Sequence, residues 1–164
     1  MIKASHIIKK LGLKPLEPEG GLYRETYLSS ETFPSLPARY RGERRFSSAI
    51  YYLLEKGRVS AMHRLQSDEV YHFYLGDPVQ LLTLSPAGAG LMFLGTDIMS
   101  GQHPQAVVPA GAWQGLKLVD GGEFALMGTT VSPAYKQEDF ELGNTEKLAE
   151  RFPAHAGLIR ELSV

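Results

Sequence analysis

The chain has 164 residues, with 17 Lys and Arg against 18 Asp and Glu, a formal net charge of −1 and no cysteine. This length predicts a single domain over residues 1–164, long enough to bury a sizeable core. The near-zero charge argues against a nucleic-acid partner, which requires a strongly basic face. The lack of cysteine excludes disulfides, a thiol nucleophile and a zinc ribbon.

The hydropathy pattern argues against a membrane partner. The longest apolar run, Ala49 to Leu54, has six residues, whereas a membrane helix needs about 20. Lysines interrupt the apolar stretches near the N-terminus, so no secretory signal core is visible. The sequence therefore predicts a soluble, cytoplasmic protein.

The chain begins with a helical pattern. Ile7, Ile8 and Leu11 recur at helical spacing, with Ser5 as the predicted N-cap and Gly12 as the predicted end.

Short apolar runs between Gly, Pro, Asp and Ser then predict strands, with turn signals at 55–57, 85–88 and 120–122. The predicted strands are Leu22–Leu28, Phe46–Leu54, Val59–Leu65, Glu69–Leu75, Val79–Leu84, Leu91–Leu94, Gln105–Val108, Trp113–Val119 and Phe124–Ser132. Helical patterns return after Thr145, a predicted N-cap, and after Pro153. The fold class is therefore all-β, a sandwich or barrel with short N- and C-terminal helices.

One spacing in the sequence carries chemical information. From Gly57 the order is five residues, His63, one residue, Leu65, three residues, Glu69, six residues and Gly76. Further along, 109–114 reads Pro-Ala-Gly-Ala-Trp-Gln and ends at Gln114. Both stretches resemble the two motifs of the cupin superfamily. The resemblance implies a double-stranded β-helix, the jelly-roll barrel of cupins.

Further segments narrow the resemblance to a small single-domain family of undefined activity, the cupin-five group, which is related to sugar-epimerase-like cupins. These segments lie at 19–27, 67–76, 108–111, 131–133 and 139–142. The resemblance also implies a homodimer, the commonest kind of oligomer. Outward-facing Val70, His72, Tyr74 and Trp113 are the candidate interface residues.

The resemblance implies a divalent transition metal held by three histidines and a glutamate, and this chain departs from that set. His63 and Glu69 occupy two of the four positions, but Leu65 and Gln114 replace the other two. A neutral amide oxygen is a weak ligand for the metals that imidazole suits. We therefore favour no metal cofactor; if one is bound, its ligands are expected to be His63, Glu69 and Gln114.

Strand alternation predicts which side chains point into the barrel. An inward Glu69 takes Tyr71 and Phe73 with it, and an inward Gln114 places Trp113 on the other face. The predicted interior is apolar with a few polar groups, which is typical of a small-molecule pocket. The alternative is an outward, solvated Glu69.

Arginines supply the predicted contacts to an anionic ligand. Arg24 is a candidate clamp for a carboxylate or phosphate. The cluster Arg39, Arg41, Arg44 and Arg45 is expected to be a solvated loop, or else to guide an anion to the barrel mouth.

These residues give three hypotheses for function. The first is a metal-independent isomerase, epimerase or lyase acting on a small, sugar-derived, anionic substrate. In it His63 is the general base, Tyr71 returns the proton, and Arg24, Glu69, Phe73 and Gln114 bind substrate. The second is a non-catalytic ligand-binding or sensor protein. The third is a metal-dependent cupin enzyme with a depleted ligand set.

Overall fold

A computed structural model describes residues 2–163 of the chain. Eleven strands form two antiparallel sheets, and short helices flank them at both ends. The strands are β1 Lys14–Pro15, β2 Leu22–Leu28, β3 Ser48–Glu55, β4 Val59–Arg64, β5 Asp68–Gly76, β6 Val79–Ser85, β7 Gly88–Leu94, β8 Gln105–Val108, β9 Trp113–Leu118, β10 Phe124–Ser132 and β11 Glu141–Leu142. The α-helices are α1 Ala4–Leu11, α2 Thr145–Arg151 and α3 Ala156–Glu161, and short 3₁₀ turns lie at Ile98–Ser100, Gln137–Asp139 and Pro153–His155.

The strand order is that of a jelly roll. The first sheet runs β1-β2-β3-β10-β5-β8 and the second runs β11-β4-β9-β6-β7. All nine predicted strands are present, and the largest difference in their bounds is at β7, which starts at Gly88 rather than Leu91. The all-β, double-stranded β-helix prediction is therefore confirmed. The two strands that the sequence did not predict, β1 and β11, have two residues each, too few to show an alternation.

The main core lies between the two sheets. Buried side chains from the first sheet, such as Tyr52 and Met127, pack against Leu81 and Leu116 of the second. Along β5 the buried positions alternate as predicted, since residues 69, 71 and 73 are buried and 70, 72 and 74 are more exposed. The outward, solvated alternative for Glu69 is therefore wrong. This alternation brings polar side chains of β5 into the barrel.

The helices cover the outer faces of the sheets. Helix α1 packs Ile7 against Leu53 and Leu126 on the first sheet and ends at Gly12, as predicted. Helices α2 and α3 cover the second sheet with an apolar cluster that includes Leu148, Ile159 and Leu162. The N-cap of α2 is Asn144 rather than the predicted Thr145, because the Asn144 side chain accepts the Lys147 N–H at 3.0 Å.

Trp113 lies outside the barrel, as predicted, but it is half-buried in the cluster under the C-terminal helices, with the Arg64 guanidinium 4.5 Å from its ring centre. One expectation, that of a solvated arginine cluster, needs correction. Arg44 is not solvated. It is 1% exposed and donates hydrogen bonds to Glu138 at 2.7 Å and Asp139 at 2.9 Å. Within residues 2–163, no helix has the length and apolar character needed to cross a membrane.

Candidate functional site

A cavity of about 240 Å³ opens into the barrel beside β5. Strands β2, β3, β5 and β10 form its walls, together with the segment before β2 and the residues after β10. Carboxylates, tyrosines and apolar side chains line it: Leu16, Glu19, Tyr23, Glu25, Ser48, Ala49, Ile50, Leu65, Glu69, Thr129, Val131 and Tyr135. An enclosed apolar space with a few polar groups is typical of a small-molecule site.

Glu69 is the most buried carboxylate of this cavity, at 6% exposed. The Gln114 amide donates a hydrogen bond to Glu69 Oε2 at 2.7 Å, and the Tyr71 hydroxyl donates to the same oxygen at 3.5 Å. Burial raises the pKa of Glu69, and the nearby Glu19 adds to that effect while His63 opposes it. A carboxyl group with a raised pKa can donate as well as accept a proton closer to neutral pH.

His63 stands beside the cavity and faces a glutamate. Its Nδ1 lies 2.8 Å from the Ala61 carbonyl oxygen, and because a carbonyl only accepts, Nδ1 carries a proton. The other ring nitrogen, Nε2, lies 3.8 Å from Glu19 Oε2. The ring stacks on Phe140, with ring centres 5.3 Å apart. His63 is 1% exposed and does not line the cavity, so Glu19 stands between its ring and the cavity.

Glu19 is the site residue that the sequence reasoning did not single out. It lies in the segment before β2, lines the cavity, and accepts a hydrogen bond from the Ser60 hydroxyl at 2.7 Å. Gly20 makes this placement feasible, because its φ is +104° and a side chain there would collide with the Val59 carbonyl oxygen. The Glu-Gly-Gly sequence at 19–21, part of the family resemblance, is the feature of the sequence that could have indicated this placement of Glu19.

Four other predicted site residues lie outside the cavity lining, among them Gln114, which is buried and bonded to Glu69. Arg24 lies on the opposite face of β2 from the cavity residues Tyr23 and Glu25, with its guanidinium 5.5 Å from the centre of the Tyr51 ring. It does not line this cavity, so the cavity gives the predicted clamp no support. Phe73 packs in the main core rather than on the cavity wall. Tyr71 is also in that core, although its hydroxyl meets Glu69.

The donor set does not fit the transition metal that the fold family implies. His63 and Gln114 are paired across β4 and β9, but Leu65 supplies no donor atom. The Gln114 amide nitrogen is bonded to Glu69, and its Oε1 is buried without a hydrogen-bond partner among the described residues. Across residues 2–163, no group of three His, Cys, Asp or Glu side chains is placed to hold a metal ion. One imidazole, one carboxylate and one neutral amide are a weak set for such a metal.

Comparisons with known proteins agree with this fold. The sequence matches the family Cupin_5, described as Cupin superfamily (DUF985), over residues 5–143. Protein SO0799 from Shewanella oneidensis is similar at 36% identity and a TM-score of 0.88, covering 100% of this chain and 99% of that one. A hypothetical protein from Leishmania major is similar at 29% identity and a TM-score of 0.88, covering 99% of each chain.

A more distant likeness concerns the fold alone. Oxalate decarboxylase from Bacillus subtilis superposes with a TM-score of 0.54 at 14% identity, over 92% of this chain and 37% of that one. None of the curated proteins matches the sequence. The family match covers most of the chain, and the resemblance stated from the motifs is confirmed: this chain belongs to the Cupin_5 family of the cupin superfamily.

Proposed function

We propose that this protein is a metal-independent enzyme of the isomerase, epimerase or lyase type that transfers a proton on a small hydroxylated substrate. The observation that supports this most directly is that two carboxylates, Glu69 and Glu19, line one enclosed cavity, with His63 beside them. Neighbouring acid–base groups in different surroundings are typical of sites that move protons.

The geometry changes the roles that the sequence suggested. Glu69 lines the cavity and has a raised pKa, so it is the better candidate for the group that exchanges a proton with substrate. His63 acts on Glu19, because its Nε2 faces the Glu19 carboxylate at 3.8 Å. Tyr71 is a positioning residue for Glu69, to which its hydroxyl donates.

Deuterium exchange tests this proposal without knowledge of the natural substrate. The protein is incubated in deuterium oxide with a panel of neutral sugars, amino sugars and hydroxy acids, and proton NMR follows loss of the C–H signal next to the carbonyl carbon. We expect exchange with at least one compound, and a decrease of about a hundred-fold or more in Glu69→Gln. Glu123→Gln, an exposed glutamate on the surface, is the matched control and should keep the wild-type rate.

Two outcomes of this experiment would contradict the proposal. If a compound binds in the cavity but no C–H bond exchanges, the protein is a ligand-binding or sensor cupin rather than an enzyme. Equal exchange rates in Glu69→Gln and the wild type would show that the carboxylate of Glu69 does not carry the proton.

The dimer predicted from the sequence stays a proposal. The outer face of β5 presents Tyr74, which is 48% exposed and whose ring makes a T-shaped contact with the ring of Tyr51. His72 on the same face contacts Gln105 and Thr130. Light scattering of the wild type and of Tyr74→Glu tests this face, since a charged substitution in the interface is expected to give a monomer.

A further inference from the structure

We infer that the cavity binds a small organic cation, a compound with an ammonium group, rather than the anionic substrate that the arginines suggested. This inference rests on the proposed function in one respect, because it names the ligand class of the same cavity.

The charges on the cavity wall favour a cationic ligand. Three carboxylates line it, those of Glu19, Glu25 and Glu69, and no Lys, Arg or His is among the described residues of the lining. Charge interactions strengthen in an enclosed site of low dielectric constant. The wall therefore attracts a cation and repels an anion. Arg24, the residue predicted to attract an anion, lies on the other face of β2 against Tyr51.

The existing hydrogen bonds of the two inner carboxylates leave one oxygen of each to bind a ligand. The donors bonded to Glu69, from Gln114 and Tyr71, both use Oε2. In Glu19, the Ser60 hydroxyl bonds to Oε1, while Oε2 faces His63 Nε2 at 3.8 Å, beyond hydrogen-bond distance. Glu69 Oε1 and Glu19 Oε2 are therefore the oxygens left to accept hydrogen bonds from a ligand. A ligand that brings several N–H donors supplies what they lack, and an ammonium group has three.

Two aromatic rings on the cavity wall also favour an organic cation. Tyr23 and Tyr135 line the same cavity, and aromatic rings beside carboxylates are typical of sites that bind organic cations. The Tyr23 ring already attracts one cation, since the Lys14 ammonium lies 5.1 Å from its centre. Burial, with the charges of Glu19 and Glu69, raises the pKa of Tyr135 to about 12, so this ring stays neutral.

The spacing of the carboxylates distinguishes an organic cation from a metal ion. Within residues 2–163 no three acidic or histidine side chains converge closely enough to bind one ion. The negative charge is instead spread along a cavity of about 240 Å³, which is room for about eight water molecules at roughly 30 Å³ each. An extended molecule with one or two amino groups matches this distribution.

Isothermal titration with two series of matched compounds tests the inference. Each series varies charge on one skeleton: glucosamine, glucose and glucuronate, and butylamine, butanol and butyrate, at a pH slightly below neutrality where the amines are protonated. We expect the amine of at least one series to bind about ten-fold tighter than its neutral partner, the carboxylate to bind weakest, and added salt to reduce the difference. Glu19→Gln should remove most of that preference and Glu25→Gln, at the exposed mouth, a smaller part of it, whereas Glu123→Gln should leave it unchanged.

Glu25 is exposed at the cavity mouth, so Glu25→Gln tests the charge even if a change at Glu19 disturbs the fold. Binding of a carboxylate as tight as that of its amine would overturn the inference, as would the lack of saturable binding by both amines. This failure is distinct from that of the proposed function. Glucosamine that binds without exchange of its C2 hydrogen counts against the enzyme and not against the ligand class, and exchange on a neutral or anionic compound contradicts only the ligand class.

Discussion

The structure buries charged side chains in two places, and the two clusters differ in their balance of charge. In the first, Arg44 lies between Glu138 and Asp139, and all three groups bond directly. In the second, Glu19 and Glu69 line a cavity beside His63, with no arginine or lysine on the described part of its wall.

The number of unsatisfied polar atoms does not separate these clusters. Arg44 Nε and Asp139 Oδ2 lack partners in the first, and Gln114 Oε1 lacks one beside the second. What separates them is a permanent cation, because the Arg44 guanidinium bonds both carboxylates of the first cluster, whereas no Arg or Lys is on the described wall of the second. The first cluster contains its own counter-ions and joins the chain before β3 to the 3₁₀ turn after β10. The second has an excess of acceptors, which matches the ligand class that we infer for it. Buried charge thus indicates structure in one place and function in the other.

The largest expected effect comes from breaking the cluster around Arg44. Arg44→Met leaves Asp139, which is 6% exposed, without its cation. We expect the free energy of unfolding to fall by about 3 kcal/mol, because a buried charge loses its partner. Urea denaturation measures this loss. Arg160→Met, which breaks the exposed pair with Glu146, is the control and should leave stability unchanged. Equal stabilities of the two variants would show that the Arg44 cluster is as dispensable as a surface pair.

Displacing Glu19 without changing any charge tests the second cluster. In Gly20→Ala the new Cβ collides with the Val59 carbonyl oxygen, and φ is +104°. We expect a loss of about 2 kcal/mol in unfolding free energy and weaker amine binding, because the neighbouring Glu19 must move. Gly12→Ala is the matched control, since its φ is +62° with open space around the new Cβ. It should lose only about 1 kcal/mol and keep its ligand affinity. Unchanged amine binding in Gly20→Ala would contradict the role of Glu19.

Removing the charge of Glu69 is expected to stabilise the protein. Burial raises the pKa of Glu69 in the folded state, whereas an unfolded glutamate titrates near about 4.3. Because the pKa of Glu69 is higher in the folded state than in the unfolded state, the folded state loses stability as the pH rises from the lower pKa to the higher one. Glu69→Gln avoids this loss, so it should be more stable by roughly 1 kcal/mol at neutral pH.

Thermal unfolding from about pH 4 to pH 8 checks both the sign and the pH window. The gain of Glu69→Gln should disappear in acid, where Glu69 is protonated in both states. Glu123→Gln, an exposed glutamate, should follow the wild type at every pH. A variant that is less stable at neutral pH would show that the ionised carboxylate is fully compensated by its hydrogen bonds, and the second cluster would then resemble the first.

The fold was predictable from the sequence because long antiparallel strands alternate visibly. The pattern at 69–74 places residues on the correct faces of β5, and the motif around His63 indicates the family over most of the chain. The two-residue strands β1 and β11 were not predictable, because their pairing depends on distant neighbours rather than on a local pattern.

The charged residues were harder to predict, since their partners lie far away along the chain. Arg44 meets Asp139 across 95 positions, so a run of arginines in the sequence looks like a solvated loop. Glu19 reaches Ser60 across 41 positions, and only the neighbouring glycines hint at its special placement. The sign of the cavity charge depends on such long-range contacts, which is why the sequence suggested an anion and the structure suggests a cation.

The smallest expected effect sharpens the difference between the two faces of β2. Arg24 contacts the Tyr51 ring on the outer face, and adjacent Tyr23 lines the cavity. Arg24→Ala removes one exposed cation–π contact, so it should lower stability by about 0.5 kcal/mol and leave the order of ligand affinities unchanged. Tyr23→Ala should weaken amine binding more than butanol binding, because it removes the ring that faces the cation. Calorimetric titration of both variants makes the comparison. A preference for the amine that is clearly stronger in Arg24→Ala than in the wild type would mean that this guanidinium acts on the cavity from the other side of the sheet, and the anionic substrate would regain its support.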